Sequence, residues 1–551
     1  MKAMTQASTT VPNPKPRAEG SCCFAVPEHF HQSCSAGLKV LRDSGLLGFW
    51  HRFGSVAGFF KPAPSSKPRQ KPKILAAHRY IFSVNALGFC ILLLAGCAVG
   101  PNYHRPPVNA PDAFRGEAQA TTNSFADLPW WQVFHDDTLQ NLIRVALTNN
   151  YDLRIAASRV LQEQALVAQA RSQFFPQVNY GALAGRGRNV SGGNTPSPTG
   201  TSGSIFAGDL NATWEIDLWG QIRRLTESAR AQFFASQEAQ RDVKISLIAQ
   251  VAQDYFQLLA LDDQLAIARD STNSFGQSLV IFNQRLHGGV ASKLETSSAE
   301  ALMDSAAATI PELEQQIVMQ EDQLSVLLGQ NPGPILRGDP TLEKQLPPEV
   351  PAGLPSSLLE RRPDVREAEQ QLRSANAQVG VAVADFFPQL NLTGLFGAVS
   401  PELSVITSGG GEAAWSIAAS LTGPLFHGGQ LRAQYAQARA VREQFALQYQ
   451  STVLNALQEV SDALISREKL ADARTEQRLA VAAYQEAVKV AIERYRQGDS
   501  SYYEVLQEQQ ELFPAEDSLV QTQLNQLLAV VQLYRALGGG WEMEMEKTGG
   551  K

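Results

Sequence analysis

The chain has 551 residues, with 54 acidic against 47 basic side chains and a formal net charge of −7 at pH 7. This length exceeds one ordinary compact domain, and the acidic balance argues against a nucleic-acid-binding surface. All five cysteines lie within the first 97 residues. Disulfides and cysteine-based metal sites are therefore excluded from the rest of the chain.

A short apolar run, residues 81–95, follows a basic segment and ends in Leu94-Ala95-Gly96-Cys97. The run is shorter than the roughly 20 residues that a membrane-spanning helix needs. Its flanks predict a secretory signal over 71–96. Leu-Ala-Gly-Cys also resembles a bacterial lipobox, which makes Cys97 the expected site of lipid attachment and the first mature residue. The alternative is an ordinary signal peptide that happens to contain a cysteine.

Residues 1–70 carry clustered prolines and basic side chains and precede this signal. Secretory signals normally begin at the N-terminus. We therefore expect either that translation starts downstream of Met1 or that the extension is disordered.

The predicted mature chain opens with a Pro-rich segment, 97–135, expected to be an extended tether without a core. A first repeat, 136–330, follows. Apolar residues at helical spacing predict helices from Leu139 and from Leu153, and proline ends the second helix after Phe174-Phe175.

Alternating residues then predict two strands, at about 176–188 and 206–219. On the second strand, apolar side chains alternate with polar ones that include Asp209, Glu215 and Asp217. Such a strand suits a barrel wall with lipid outside and water inside. An antiparallel sheet over a soluble core is the alternative.

A helical pattern then runs from about Gln221 to Phe282, a length of roughly 90 Å as one helix. Such a length is typical of a coiled coil or a helical tube. A break at Arg285 to Gly289 and a further helix to Leu328 complete the first repeat.

After an irregular Pro-rich segment, 331–360, the pattern recurs over 361–540. Phe174-Phe175-Pro176-Gln177 reappears as Phe386-Phe387-Pro388-Gln389. Two more strands are predicted, at about 388–399 and 414–426, then a long helix, a turn near Gly498 and a last helix. Residues 541–551 form a C-terminal tail.

Four strands cannot close a transmembrane barrel, because the smallest barrels have about eight. An open sheet edge is not viable in lipid. If these strands span a membrane, several chains must share one barrel, and three chains give twelve strands.

The chain resembles the TolC/OprM-like outer membrane factors, the channel lipoproteins of tripartite RND-type efflux systems that include NodT-like proteins. The resemblance covers about residues 97–545. The residues that carry it are the segment Cys97 to Tyr103, the duplicated Phe-Phe-Pro-Gln, Trp214 to Gly220, Gly428-Gly429-Gln430 and Leu533 to Trp541.

This resemblance implies a mixed α+β membrane protein: a homotrimer with a 12-stranded transmembrane β-barrel continued by a periplasmic α-helical barrel. It implies a passive exit duct for drugs or other small toxic molecules in the outer membrane of a Gram-negative bacterium. The expected partners are a periplasmic adaptor, an inner membrane RND-type transporter and outer membrane lipid. No catalytic residue, metal or cofactor is expected, apart from the covalent lipid on Cys97.

The family's adaptor docks on the two turns that face away from the barrel, and the resting tube closes near the second turn. The gate candidates are Arg494, Tyr495, Asp499 and Tyr502. The adaptor-docking candidates are Arg285, Gly288, Gly289, Ser292, Gly498, Ser500 and Ser501. The alternative is that these residues are solvated helix caps.

Other functions stay open at this point. Metal-ion efflux and type I protein secretion use the same fold, and a structural coiled-coil lipoprotein without a pore is an alternative of a different class. The histidines lack metal-ligand spacing, which argues against a zinc site. Asp209, Glu215 and Asp217 are expected to line the pore, where they either bias it toward cations or hydrate it.

Overall fold

A computed structural model describes residues 98–108, 111–115, 129, 133, 136–188, 190–191, 195–196, 202–338, 342, 355, 358–410 and 412–539. Cys97, the signal, the extension and the tail lie outside these residues. The helices are α1 (Asp137–Asn149), α2 (Tyr151–Ser172), α3 (Gln221–His287), α4 (Lys293–Leu327), α5 (Leu358–Arg361), α6 (Pro363–Ala384), α7 (Leu403–Thr407), α8 (Gln430–Gln497) and α9 (Tyr502–Ala536). The strands are β1 (Gln177–Arg188), β2 (Val190–Ser191), β3 (Thr195–Pro196), β4 (Ser202–Ile216), β5 (Gln389–Ser400) and β6 (Glu412–Thr422).

The two repeats have matching elements. α2 and α6 have 22 residues each, and β1 and β5 have 12 each. α3 and α8 have 67 and 68 residues, and α4 and α9 have 35 each. Both α4 and α9 continue through an internal proline, Pro311 and Pro514, although proline lacks the N–H that the helix ladder uses. None of the described helices is both long and apolar enough to span a bilayer.

β1, β4, β5 and β6 form one antiparallel sheet in the order β1-β4-β5-β6. Its register puts the predicted apolar residues on one face, because Leu210 pairs with Phe396 and Phe396 with Trp415. The opposite face is polar: Asn211 pairs with Asn179 and Glu215 with Asn391. Within this sheet β1 and β6 each have one partner strand, so both outer edges are open.

β4 and β6 begin a few residues earlier than predicted, at Ser202 and Glu412, and both end earlier than predicted. β4 ends at Ile216 instead of continuing to 219, because Gly220 takes a φ of 81°, which favours glycine, and starts α3. β6 ends at Thr422, just before Gly423-Pro424, because proline cannot donate to a strand ladder. Gly429 repeats the arrangement of Gly220 with a φ of 89° at the start of α8.

The helices form two antiparallel hairpins, α3 with α4 and α8 with α9, and α3 also contacts α9. The main hydrophobic core lies between these helices and α1, with Tyr255 at its centre. The Tyr255 hydroxyl donates to Asp136 Oδ2 at 2.8 Å and accepts from the Gly338 N–H at 3.0 Å. Asp136 in turn caps α1 by accepting from the Thr138 N–H at 2.7 Å.

The first described residues, 98–108, form what we call the strap. The buried Arg224 guanidinium donates to the carbonyls of Val99 and Gly100, at 3.2 and 3.3 Å, and to Asn102 Oδ1 at 2.9 Å. Further along the chain, Phe114 is buried in the main core. The expectation of a tether without a core is therefore wrong for these residues, because Phe114 is buried and the half-buried Tyr103 and Val108 pack against a cluster of α6 and α8 residues.

An acidic cluster lies between α3 and α6. Burial, with the nearby carboxylates of Asp242, Asp364 and Glu238, raises the pKa of Glu367 to about 7. When the pH is below 4.5, the usual pKa of a glutamate, Glu367 is neutral in both the folded and the unfolded protein. Above about pH 7 the folded protein must carry a buried negative charge at this residue. Its burial therefore lowers stability progressively as the pH rises through this window.

We expect Glu367→Gln to raise the melting temperature at pH 8 and to leave it unchanged at pH 4. The gain corresponds to about 1 to 2 kcal/mol at pH 8, reduced for partial solvent access. Thermal unfolding of the detergent-purified protein at both pH values measures it. Glu476→Gln, at an exposed position of α8, is the control and should show no such pH dependence. Equal shifts at both pH values would contradict the prediction.

Candidate functional site at the helix turns

The two predicted turns connect the helices of each hairpin. Residues 288–292 join α3 to α4, and residues 498–501 join α8 to α9. Ser292 forms a capping box at the start of α4, in which its N–H donates to Glu295 Oε1 at 3.1 Å. Gly289 and Gly498 take φ angles of 76° and 87°, which favour glycine. All the predicted turn residues thus lie in these turns or at the ends of the adjoining helices.

A small hydrophobic core fixes the two turns relative to each other. Its buried residues are Phe282, Ala299, Ala491, Tyr495, Val505 and Leu506. Phe282 meets Tyr495 edge to face, with ring centroids 5.0 Å apart, and Tyr502 at 6.3 Å. Two of the predicted gate residues, Tyr495 and Tyr502, are therefore packing residues in this structure.

Tyr495 also makes polar contacts with the first repeat. Its hydroxyl donates to Glu295 Oε2 at 3.2 Å, and burial raises the pKa of Tyr495 to about 12. Arg285 Nη1 donates to the Tyr495 carbonyl at 2.6 Å, and its guanidinium lies 4.3 Å from the centroid of the Tyr495 ring. Arg285 thus connects the end of α3 to the end of α8.

The remaining polar residues form a second, exposed group. Arg494 Nη2 donates to the Asp499 carbonyl at 3.2 Å, and Arg494 Nη1 lies 3.4 Å from Glu504 Oε2. The Ser500 hydroxyl donates to Glu504 Oε2 at 2.8 Å and, with Arg494, lowers the pKa of Glu504. The Asp499 carboxylate is exposed and forms no hydrogen bond or ion pair with another described residue.

Sequence reasoning missed Phe282, Glu295 and Glu504. The spacing Ser292-x-x-Glu295 is the signature of a capping box and was available in the sequence. Phe282 and Glu504 gave no comparable signal, because their roles depend on contacts with Tyr495 and Arg494.

The three predicted pore-lining acids divide into two groups. Asp209 and Glu215 lie on the polar face of β4, where Asp209 Oδ2 accepts from Asn211 Nδ2 at 3.3 Å. Asp217 lies beyond the end of β4. Its carboxylate accepts from the N–H groups of Ile222 and Arg223, both at 3.1 Å, and pairs with Arg223 Nε at 3.0 Å. This contact makes Asp217 a cap of α3, and a role in the pore wall stays a prediction.

The apolar face of the sheet is exposed. Trp415 is 73% and Ile417 82% exposed. Six other large side chains of the same face are also exposed: Val178, Tyr180, Leu210, Trp214, Phe396 and Leu421. A continuous apolar surface of this size is typical of a membrane or protein contact. Because α2, α3, α6 and α8 all adjoin the strands at the same end of this sheet, fold and surface together define a membrane-anchored protein with a large helical part on one side of the bilayer.

Comparison with known proteins identifies the family. A family model described as outer membrane efflux protein matches residues 142–330 and 354–539. The toluene efflux pump outer membrane protein TtgC of Pseudomonas putida is 34% identical over 477 residues, which cover 85% of this chain and 97% of the relative. The chain belongs to the outer membrane efflux protein family.

A further relative and a solved structure agree with this family assignment. The cation efflux system protein CusC of Escherichia coli is 32% identical over 83% of this chain and 98% of its own. The open state of the Neisseria gonorrhoeae MtrE outer membrane channel superimposes with a TM-score of 0.72 at 30% identity, covering 81% of this chain and 99% of that one.

These comparisons confirm the predicted class. The protein is the outer membrane exit duct of an efflux pump, with its helical part in the periplasm, and it is not an enzyme. This assignment excludes the alternative of a structural lipoprotein without a pore. Within the described residues, no group of three or more His, Cys, Asp or Glu side chains is placed to hold a metal ion.

Proposed function

We propose that three copies of this chain close a 12-stranded barrel and act as a passive duct that exports small toxic organic molecules. The observation that carries the proposal is the pair of open edges on β1 and β6 of a sheet with an exposed apolar face. Unpaired backbone N–H and C=O groups are costly in lipid, so each edge needs another strand. Pairing β6 of one copy with β1 of the next satisfies both edges, and three sheets of four strands then close the barrel.

The helices extend this duct into the periplasm. α3 and α8 have 67 and 68 residues, which corresponds to roughly 100 Å each. A periplasmic adaptor docks on the turns, where Gly288, Gly289, Ser500 and Ser501 lie at the surface, and an RND-type inner membrane transporter supplies the energy. Ser292 also belongs to the capping box of α4, so its contribution to docking is secondary.

The substrate class is inferred from the relatives. One relative is named for toluene efflux and another for cation efflux, with similar identities to this chain. We favour small organic molecules, and metal-ion efflux is the second candidate. Type I protein secretion is the third candidate, on the same fold.

The test of this proposal is complementation of a strain that lacks the gene. We expect the wild-type gene to restore resistance to dyes, antibiotics and toluene, and the purified protein to cross-link as a trimer and conduct ions in planar bilayers. If the gene restores resistance to copper or silver salts alone, the substrates are metal ions and not organic molecules. A protein that neither cross-links as a trimer nor conducts would refute the duct.

We expect Asp499→Ala to weaken block of the channel by divalent cations. Three copies of this exposed carboxylate around a threefold axis would form an acidic ring that attracts cations. Single-channel recordings with and without millimolar Mg²⁺ measure the block. Glu493→Ala, on the last turns of α8, is the matched control and should leave the block intact. Unchanged block in Asp499→Ala would remove this residue from the gate.

A further inference from the structure

A cavity of about 550 Å³ lies where the sheet passes into the helices. Its lining includes Tyr103, Phe174, Arg223, Thr226, Arg230 and Arg373. Phe174 lies three residues before β1, and Arg223 is the third residue of α3, which follows β4. The cavity therefore begins at the periplasmic ends of the strands, the level at which inner-leaflet lipid headgroups lie, and extends along α3 past Arg230. We call it the arginine pocket.

The pocket has an excess of positive charge. Arg223 pairs with Asp217 at 3.0 Å, and Arg373 pairs with Glu369 at 2.8 Å. The exposed Arg230 forms no ion pair with any described residue. Glu227, the acidic residue of the lining, is bound by the neighbouring Arg224 at 2.8 Å. Arg230 is thus a cation that a ligand can neutralise.

Thr226 supplies a second, independent observation. The residue is 4% exposed, and its hydroxyl oxygen is buried without a hydrogen-bond partner in the described part of the chain. A buried hydroxyl normally has a partner, because leaving it unsatisfied costs free energy. Thr226 lines the same pocket as Arg230, and a ligand whose acceptor oxygens displace the side chains that cover this hydroxyl would satisfy both residues.

Three aromatic side chains complete most of the wall, beside Ala231 and Gln370. Phe174 and Phe234 both line the pocket, and Phe234 is 48% exposed. Tyr103 of the strap also lines it, and the Arg373 Cζ atom lies 4.9 Å from the centroid of the Tyr103 ring. Cationic and hydroxyl groups beside exposed aromatic surface suit an amphiphile with a charged head and an apolar body.

We propose that the arginine pocket binds a phosphate ester, the headgroup of an anionic phospholipid of the inner leaflet. Arg230 pairs with the phosphate oxygens, and the side chains that cover the Thr226 hydroxyl move so that it donates to one of them. Phe174, next to the start of β1, contacts the glycerol and the first acyl carbons. This site is separate from the duct and its gate, and it fixes the junction of sheet and helices to the surrounding lipid.

The test uses the full-length, delipidated protein in detergent and native mass spectrometry with phosphatidylglycerol. We expect Arg230→Gln to weaken lipid binding about tenfold, the loss expected for one charge-assisted hydrogen bond. Thr226→Val, which keeps the side-chain shape, should also weaken it. Arg159→Gln, at an exposed position of α2 outside the pocket, should bind as the wild type does.

A second arm replaces the lipid with inorganic phosphate and with glycerol 3-phosphate. Binding of phosphatidylglycerol but not of these ions assigns the pocket to lipid, whereas equal binding of all three would overturn the lipid assignment. Equal lipid affinity of the wild type and Arg230→Gln would overturn the site itself. Bilayer conductance of Arg230→Gln should equal that of the wild type, so a failure here is distinct from failure of the duct.

Discussion

Ile417→Arg should abolish accumulation of the protein in the outer membrane. Ile417 is the sixth of the 11 residues of β6 and is 82% exposed on the apolar face. This position is near the middle of a strand just long enough to span a bilayer. An arginine facing lipid at the midplane costs about 2 to 4 kcal/mol, so a trimer would lose roughly 6 to 12 kcal/mol, comparable to the whole stability of many proteins.

The neighbouring residue provides the matched control. Ser416 pairs with Leu395 on the polar face of the sheet, so Ser416→Arg points its charge toward water. We expect this variant to reach the outer membrane in normal amounts and to change ion selectivity only. Membrane fractionation and cross-linking of both variants measure the difference. Similar yields for the two variants would show that the apolar face does not face lipid.

Arg285→Ala should release the two turns from each other and increase the open fraction of the channel about tenfold or more. The substitution removes the hydrogen bond to the Tyr495 carbonyl and the contact with its ring. A hydrogen bond from a charged group contributes about 1.5 to 3 kcal/mol, and a cation–π contact adds about 0.5 to 1 kcal/mol. A free energy of 1.4 kcal/mol corresponds to a factor of ten in an equilibrium constant. The interaction energy lost in each chain is therefore large enough to raise the open fraction tenfold.

Arg496→Ala controls for the loss of positive charge at the same end of the molecule. Arg496 lies next to Tyr495 on α8, and its ion pair with Glu493 is long, at 3.9 Å, and exposed. Single-channel recordings should show more frequent opening for Arg285→Ala than for Arg496→Ala. An equal increase in both variants would mean that charge, and not the contact with Tyr495, sets the closed state, and a wild-type record for Arg285→Ala would refute the prediction.

The sequence predicted the faces of the sheet well, for a simple reason. Side chains of a strand alternate between two faces, so the parity of Trp415 and Ser416 determines which face each occupies. The long helices could be predicted equally well, because α3 and α8 keep a helix-forming composition over more than sixty residues. Both properties are local and repeat along the chain.

Contacts between distant segments could not be predicted from local sequence patterns. Asp217 follows the alternation of β4, yet it caps α3 because the chain turns at Gly220, a tertiary feature. Arg285 and Tyr495 are separated by 210 residues, and no periodicity relates them. The strap was missed for the same reason, since its partners Arg224 and Asn376 lie in the two different repeats.

The strap has a consequence for the order of events during biosynthesis. Its Pro101 carbonyl accepts from Asn376 Nδ2, and Tyr103 donates to Glu369, across 275 and 266 residues of chain. Neither partner exists when the strap leaves the ribosome, so this early segment of the chain is among the last to find its native position. Until then the strap is unattached and available to the export machinery. Its docking requires that both repeats have come together.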